Sequence, residues 1–284
     1  VAKNLIIGGF TNYNANQLRP WVLSAKVHSG DDNDCDIVLV YGNASDETLD
    51  WLESQGVIIV PMLGVEGIRI PIHVLRFHSI YDYLYKHWQK YEYVITTDVK
   101  DVYFQCDPFE KLIGHKLVVA SEGLRYKDEA WGNENLLQSY DLYIYQQFKN
   151  NEIINVGTFG GTSEYVKDMV FNIFTNAINR PIPICDQAVF NVLINTLPFK
   201  DVVTYTHDWA CELGTVMDPS KIEKFKPNLL FSEPIWENGL VKIPPLDGRI
   251  FPIVHQYDRV PEIKKFVEKK FGQDDESQMF IYRS

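Results

Sequence analysis

The sequence predicts an α/β protein whose central sheet is mostly parallel and flanked by helices. Two observations predict it. Strand-like and helix-like segments alternate through the first half of the chain. The apolar, β-branched run Tyr93-Val94-Ile95-Thr96-Thr97 also ends abruptly in the acids Asp98 and Asp101. That is the pattern of a buried parallel strand delivering carboxylates at its carboxyl end, where open α/β sheets bind ligands. The 284 residues, 45% of them hydrophobic, suffice for one large domain or two small ones. No linker or repeat divides them, so a single domain is expected.

The elements follow in order. Asn4–Gly8 reads as a strand, Asn16–His28 as a helix and Cys35–Tyr41 as a strand. Ser45–Gln55 reads as a helix with Ser45 as its N-cap, followed by a strand at Val57–Pro61. Ile72–Lys90 reads as a long helix, because Ile72, Leu75, Ile80, Leu84 and Trp88 fall near one face. The acidic strand follows, then a strand at Leu117–Ser121. The second half is less regular. Asn133–Phe148 reads as one helix, Ile153–Thr158 as a strand, and Ser163–Asn179 and Asp186–Asn195 as helices. The Pro-rich portion from Pro219 to Pro252 is expected to wrap the surface in loops and short strands. Phe251–His255 reads as a last strand and Pro261–Phe271 as a basic helix, with a loose tail after Gly272. Residues 1–122 form the front of the domain in this reading. Residues 123–260 form its back, and residues 261–284 a terminal helix and tail.

Charge and cysteine usage exclude several classes. The formal net charge is −11, which argues against a nucleic-acid partner, since that affinity rests on a basic surface. A phosphate-bearing small molecule remains compatible, because a metal and a few cations reverse the field inside a pocket. No stretch reaches the ~18–20 apolar residues of a membrane span. Cys35, Cys106, Cys185 and Cys211 are far apart and form no C-x-x-C pair, so a reducing, cytoplasmic compartment is expected. The chain starts at Val1, which suggests trimming or excision and leaves an upstream anchor open.

Asp98 and Asp101 face opposite sides of a regular strand, so sharing one ligand requires the chain to turn between them. Two acids on such a turn can hold a divalent cation while substrate phosphates supply further oxygens. The plain alternative is a solvated turn. Gly8-Gly9-Phe10-Thr11-Asn12-Tyr13 follows the first strand. Its glycines let backbone approach a ligand, and Phe10 or Tyr13 offers a ring to a base. It is not G-x-G-x-x-G, so no dinucleotide fingerprint is present, and an ordinary βα turn is the alternative. Arg76 is either a phosphate or sugar ligand or an ion-pair partner. Trp131, Trp209 and Trp236 are candidate acceptor platforms, although buried packing is the commoner fate of Trp.

The order of these motifs resembles the GT-A glycosyltransferases, most closely the glycogenin-like and bacterial galactosyltransferase-like group of nucleotide-sugar enzymes. Arg76-Phe77 resembles that group's Arg-aromatic pair. Thr97-Asp98-Val99-Lys100-Asp101-Val102 stands where it has a metal-binding D-x-D. Asn155-Val156-Gly157-Thr158 resembles its sugar-contacting N-x-G strand. Asp186-Gln187-Ala188-Val189-Phe190-Asn191 is similar to its D-Q-x-x-x-N helix start, and Val254-His255-Gln256 to its late strand ending in a metal-ligand His. The resemblance spans Leu5 to Arg259.

It implies a GT-A fold and Mn²⁺ (or Mg²⁺) on Asp98, Asp101 and His255, with one acid also holding the ribose. It places donor contacts at Arg76, Asp98, Asn155 and Gly157, makes residues 1–122 the nucleotide-binding part and 123–260 the part for donor sugar and acceptor, and makes Asp186 and Gln187 the groups that act on the transferred sugar. Gly8, Gly9, Phe10, Thr11 and Tyr13 join the donor contacts from the reading of their loop. An oxygen-rich shell with one imidazole suits Mn²⁺, while Mg²⁺ demands stricter octahedral geometry. The sequence also departs from the family. Its acids are spaced D-x-x-D, and Gln256-Tyr257-Asp258-Arg259 replaces the family's Gly and Lys-Pro-Trp. Arg259 is therefore the candidate to neutralise the diphosphate. For Asp186 a helix N-cap, and for His255 a hydrogen-bonded core position, are the plain alternatives.

The expected activity is metal-dependent transfer of a sugar from a UDP- or GDP-linked donor to a hydroxyl of a glycan or other acceptor. The resemblance leans toward retention. Inversion would need a carboxylate base, for which Asp186, Asp208 and Glu212 are candidates. A sugar-phosphate nucleotidyltransferase is the rival enzyme, disfavoured because no basic residue follows Gly8-Gly9 before Arg19. A non-catalytic carbohydrate-binding module is the rival outside enzymes.

Overall fold

The first half of the chain alternates strand and helix: β1 (Lys3–Phe10), α1 (Ala15–His28), β2 (Cys35–Tyr41), α2 (Asp46–Ser54), β3 (Ile58–Pro61), α3 (Ile72–His87) and β4 (Tyr91–Thr97). These come from a computed structural model, which describes residues 2–29, 34–64, 69–245 and 248–272. The tail after Gly272 lies outside the described residues. The middle of the chain carries β5 (Val102–Phe104), β6 (Leu117–Arg125), α4 (Ala130–Ser139), α5 (Leu142–Phe148), β7 (Glu152–Thr162), α6 (Ser163–Ala177) and α7 (Asp186–Ile194). The remainder carries β8 (Val203–Thr206), β9 (Ala210–Glu212), α8 (Leu213–Val216), α9 (Ile222–Phe225), β10 (Ile235–Glu237), β11 (Leu240–Lys242), β12 (Ile253–His255) and α10 (Pro261–Phe271).

Seven strands form the central sheet in the order β3-β2-β1-β4-β7-β6-β8. β3, β2, β1 and β4 run parallel, as do β6 and β8, and β7 is antiparallel to both its neighbours. The sheet is therefore mostly parallel and belongs to one α/β domain. The chain winds outward from β1 through β2 and β3, then returns to lay β4 on the other side of β1. The carboxyl ends of β1 and β4 thus flank the switch point where such sheets hold ligands.

Residues Leu5, Ile6 and Ile7 of β1 are fully buried, so both faces of the sheet need cover. Leu5 and Ile7 pack with Phe77 of α3 and Val166 and Val170 of α6. Ile6 packs with Leu18 and Trp21 of α1 and Leu52 of α2. Each such side chain contributes about 1.5–3 kcal/mol by leaving water. Among the described residues, no helix is long and apolar enough to cross a membrane. All four cysteines are free thiols.

One local expectation changes. The single helix expected over Asn133–Phe148 is two helices. Tyr140 leaves helical geometry (φ −120°, ψ −94°), and the Asp141 carboxylate accepts from the Ile144 amide at 2.9 Å. An Asp side chain that competes for backbone donors favours a new helix start over continuation. The acidic segment turns where two acids sharing a ligand require it: β4 stops at Thr97, and Val102–Phe104 joins a small separate sheet, β5-β12-β9. Gly160 and Gly161 lie within β7, where side chains would not fit. A Cβ on Gly161 would strike the Lys116 carbonyl, and one on Gly160 would sit 3.0 Å from the Val94 oxygen.

Candidate active site

Asp98 begins the turn that leaves the central sheet. Its amide donates to the Gly157 carbonyl of β7 at 2.8 Å, which ties the start of the turn to the neighbouring strand. The far end is held from the other side, where the Tyr257 amide donates to the Asp101 carbonyl at 3.3 Å and the Tyr257 hydroxyl to Lys100 O at 3.2 Å. This is the turn that two acids on one strand require to share a ligand. The small sheet supplies the third group. β12 lies between β5 and β9, which registers His255 beside Val102 on one side and Glu212 on the other.

The result is one cluster. Ligand-capable atoms of Asp98, Asp101 and His255 lie within 4.8 Å of one another. His255 Nε2 is 3.5 Å from a carboxylate oxygen of each acid, and Nδ1 is 2.7 Å from Glu212 Oε2. His255 is 1% exposed, and neither ring nitrogen has a hydrogen bond of good geometry. A buried imidazole nitrogen facing two carboxylates without a partner is what a divalent cation would satisfy. The donor set, two carboxylates and one imidazole, fits a divalent cation. Gly157 makes room for the cluster: a Cβ there would come within 2.6 Å of His255 Cε1 and 2.7 Å of Asp98 Oδ2.

The electrostatics follow from this crowding. Burial pushes the Asp98 carboxyl up, but the Arg76 charge and His255 outweigh it and hold the acid well below the usual range. Burial pushes His255 down, yet Glu212 and Asp101 more than offset that and hold the imidazole well above its ordinary value. Arg76 is taken by two acids. It bonds to Asp98 and donates to Asp186 Oδ2 at 3.1 Å. That changes two readings. Arg76 links the strand-end acid to the helix-start acid, and its guanidinium is not a free phosphate clamp. Asp186 is not the N-cap of α7. Cys185 holds that position, and Asp186 is the first helical residue with no side-chain cap bond. Burial outweighs Arg76 and leaves the Asp186 carboxyl raised.

α7 is fastened to β7 by Asn191, whose side chain takes a bond from the Ile154 amide at 2.9 Å and donates to the Ile154 carbonyl at 2.7 Å. Asp186 and Gln187 are thereby set beside Asn155. The Asn155 Oδ1 accepts from the Gly157 amide at 2.6 Å.

Two cavities meet at the cluster. The front one, of about 340 Å³, is lined by Gly9, Phe10, Thr11, Tyr13, Lys100 and Asp101, together with Asp258. Tyr13 stacks on the buried Phe10 with 15° between ring planes, and the loop is pinned to the next βα loop by the Asn12–Asn43 bonds. The back one, of about 360 Å³, is lined by Glu122, Asn155, Gly157, Asp186, Gln187 and His255. Trp131, Lys221 and Phe225 also reach it. His73, Arg76, Asp98 and Arg259 line both.

Most of the residues singled out from the sequence therefore converge. Gly8 stands apart: its missing side chain is filled by Val99, with Trp21 nearby. Trp209 is fully buried with its Nε1 on the Pro108 carbonyl, and Trp236 packs on Phe266, so of the three tryptophans only Trp131 borders a cavity. Asp208 pairs with Lys111 and Arg249 and lines neither cavity. Glu212 is buried behind His255. Sequence reasoning passed over His73, Gln256 and Glu122. A signal existed for Glu122: it is a carboxylate late in a buried apolar run, as Asp98 is.

No protein-family model and no curated protein matches the chain. Among solved structures, an apo structure of the bifunctional glycosyltransferase WbbM is similar, with a TM-score of 0.59 at 12% sequence identity. The match covers 99% of this chain and 52% of that one, so the chain spans about half the length of the protein it resembles. At this identity the likeness bears on the fold, and it agrees with a GT-A-like α/β domain.

Proposed function

We propose that this chain is a metal-dependent glycosyltransferase that moves a sugar from a nucleotide-linked donor, UDP- or GDP-linked, to a hydroxyl of a glycan or other acceptor. One observation carries the reading: the Asp98–Asp101–His255 cluster sits where the two cavities meet. A nucleoside diphosphate in the front cavity and its sugar in the back one would put the diphosphate against that cluster. Fold likeness to a glycosyltransferase supports the same reading.

Asp98, Asp101 and His255 would hold Mn²⁺ or Mg²⁺, which when bound supplies charge neutralisation to the diphosphate leaving group. Glu212 faces Nδ1 of His255 and so orients the imidazole. Thr11 and Tyr13 would meet the nucleoside, and Arg259 the phosphates. Asp186 and Gln187 would contact the transferred sugar, where carboxylate and amide groups bind hydroxyls and stabilise charge developing at the anomeric carbon. In the transfer, the bond from the anomeric carbon to the diphosphate oxygen breaks and the electron pair leaves with the diphosphate. The acceptor oxygen forms the new bond and passes its proton to the departing diphosphate oxygen. Retention is favoured by what surrounds the three candidate bases: Asp208 lies outside both cavities, Glu212 is engaged by His255, and Asp186 by Arg76.

A thermal-shift panel of UDP, GDP, CMP and dTDP sugars with and without Mn²⁺ tests the proposal, since a ligand that binds only the folded state raises its melting temperature. A shift that needs both a nucleotide sugar and Mn²⁺, with release of nucleoside diphosphate, supports it. No shift with any of them removes it, and binding without turnover favours the carbohydrate-binding alternative.

A further inference from the structure

Glu122 is a buried acid that faces the back cavity and has no part in the machinery above. It lies on β6, between Ser121 and Gly123, and is 9% exposed. Asn155 Nδ2 donates to its Oε1 at 2.7 Å, and that is its one hydrogen bond among the described residues. Asn155 is itself only 4% exposed, and its Oδ1 is taken by the Gly157 amide at 2.6 Å. The amide is thus locked in one orientation, and it holds one carboxyl oxygen while the other stays available on the cavity wall. Such an oxygen loses its water when a ligand enters and needs a new partner.

We propose that Glu122 is a specificity-determining residue of this site, whose free carboxyl oxygen bonds one hydroxyl of the transferred sugar while Asn155 holds the carboxyl in place. The inference rests on the glycosyltransferase reading and deepens it by making the donor a sugar with a hydroxyl at one required position. The neighbours are consistent with a hydroxyl partner. Burial and then the Glu212 charge push the Glu122 carboxyl up to about 8, and a carboxyl near neutrality can give a hydrogen bond to a hydroxyl as well as take one. A buried site built to bond a hydroxyl rejects the analogue that lacks it, because its own polar groups are left unpaired.

The test begins with the wild-type chain and Mn²⁺. UDP-glucose, UDP-galactose and GDP-mannose are titrated calorimetrically, together with free UDP and GDP. The tightest donor is then replaced by its singly deoxygenated analogues, and binding and kcat/KM are measured for wild type, Glu122→Gln and Glu122→Ala. In the wild type, one deoxy analogue should lose on the order of 100-fold or more. Glu122→Ala should lose a comparable factor on the parent sugar and show little further loss with that analogue, because residue and hydroxyl are coupled. Glu122→Gln should fall between them, and affinity for free nucleoside diphosphate should stay within about twofold. If Glu122→Ala keeps the wild-type deoxy profile, the inference fails while the transferase reading stands. It fails equally if free nucleotide affinity drops in parallel with donor affinity, which marks a structural role. If the wild type binds none of these three nor any sugar of the wider nucleotide-sugar panel with Mn²⁺, the underlying reading fails and takes this one with it.

Discussion

The two cavities are built in opposite ways. The front one is made largely from short consecutive stretches, Gly9 to Tyr13 at the carboxyl end of β1 and Asp98 to Asp101 after β4. The back one collects single residues from far apart, among them Glu122, Asn155, Asp186, Gly214 and His255. A loop at a sheet's carboxyl edge presents neighbours in sequence to one ligand. A wall made by strand faces and a helix start presents every second residue or one residue per element. The front loop after β1 therefore shares its contacts among sequence neighbours, whereas the back wall depends on single residues drawn from separate elements.

The largest effect should come where the two meet. Asp98→Asn and Asp101→Asn should each lower Mn²⁺-dependent turnover beyond about a thousandfold, since loss of one electrostatic stabiliser alone costs about 10² to 10³. Circular dichroism should remain that of the wild type. Two folded variants with wild-type turnover would break the comparison at its root.

Next comes the back wall. Asp186→Asn and Gln187→Ala should cut kcat by about 100-fold while free nucleoside diphosphate binds within about twofold, the mark of groups that act in the transition state. Equal loss of affinity for donor and free nucleotide would instead mean that the Arg76 bridge had collapsed and damaged both cavities.

Glu212→Gln sharpens the comparison from behind. Removing an outer partner of a metal-ligating His weakens metal affinity by about 10- to 100-fold. The Mn²⁺ titration should move by that amount, and His255→Ala should move it further. A titration that matches wild type in both variants would return His255 to a purely structural position.

The smallest effect should lie in the front loop. Tyr13→Ala removes one stacking surface, worth about 1–3 kcal/mol for a base, and should weaken UDP or GDP by about tenfold without altering kcat on the bound donor. A kcat effect as large as that of Asp186→Asn would show that the loop shapes the back cavity too.

Legibility followed the same division. The alternating elements of the first half, the Ser45 cap and the strand-end acids were all readable, because each is a local pattern of period or capping. The split at Asp141 was missed because one capping side chain overrides an otherwise continuous apolar pattern. Glu122 was missed because the expected strand ended at Ser121, whereas β6 runs on to Arg125. Glu212 reads in the sequence as a candidate base for inversion; its place beside His255 exists through the β12–β9 pairing alone.

By itself, then, the sequence determined the α/β class, the strand that delivers Asp98, and the turn that brings in Asp101. Those rest on contacts between near neighbours, where periodicity and residue type constrain geometry directly. The tertiary structure alone decided that Arg76 joins Asp98 to Asp186, that Gly8 packs inward while Gly157 opens onto the Asp98–Asp101–His255 cluster, and that Glu122 and Asn155 form one wall. Each of these depends on which strand lies beside which and in what register, and a slip of one residue would turn the same side chains to the opposite face.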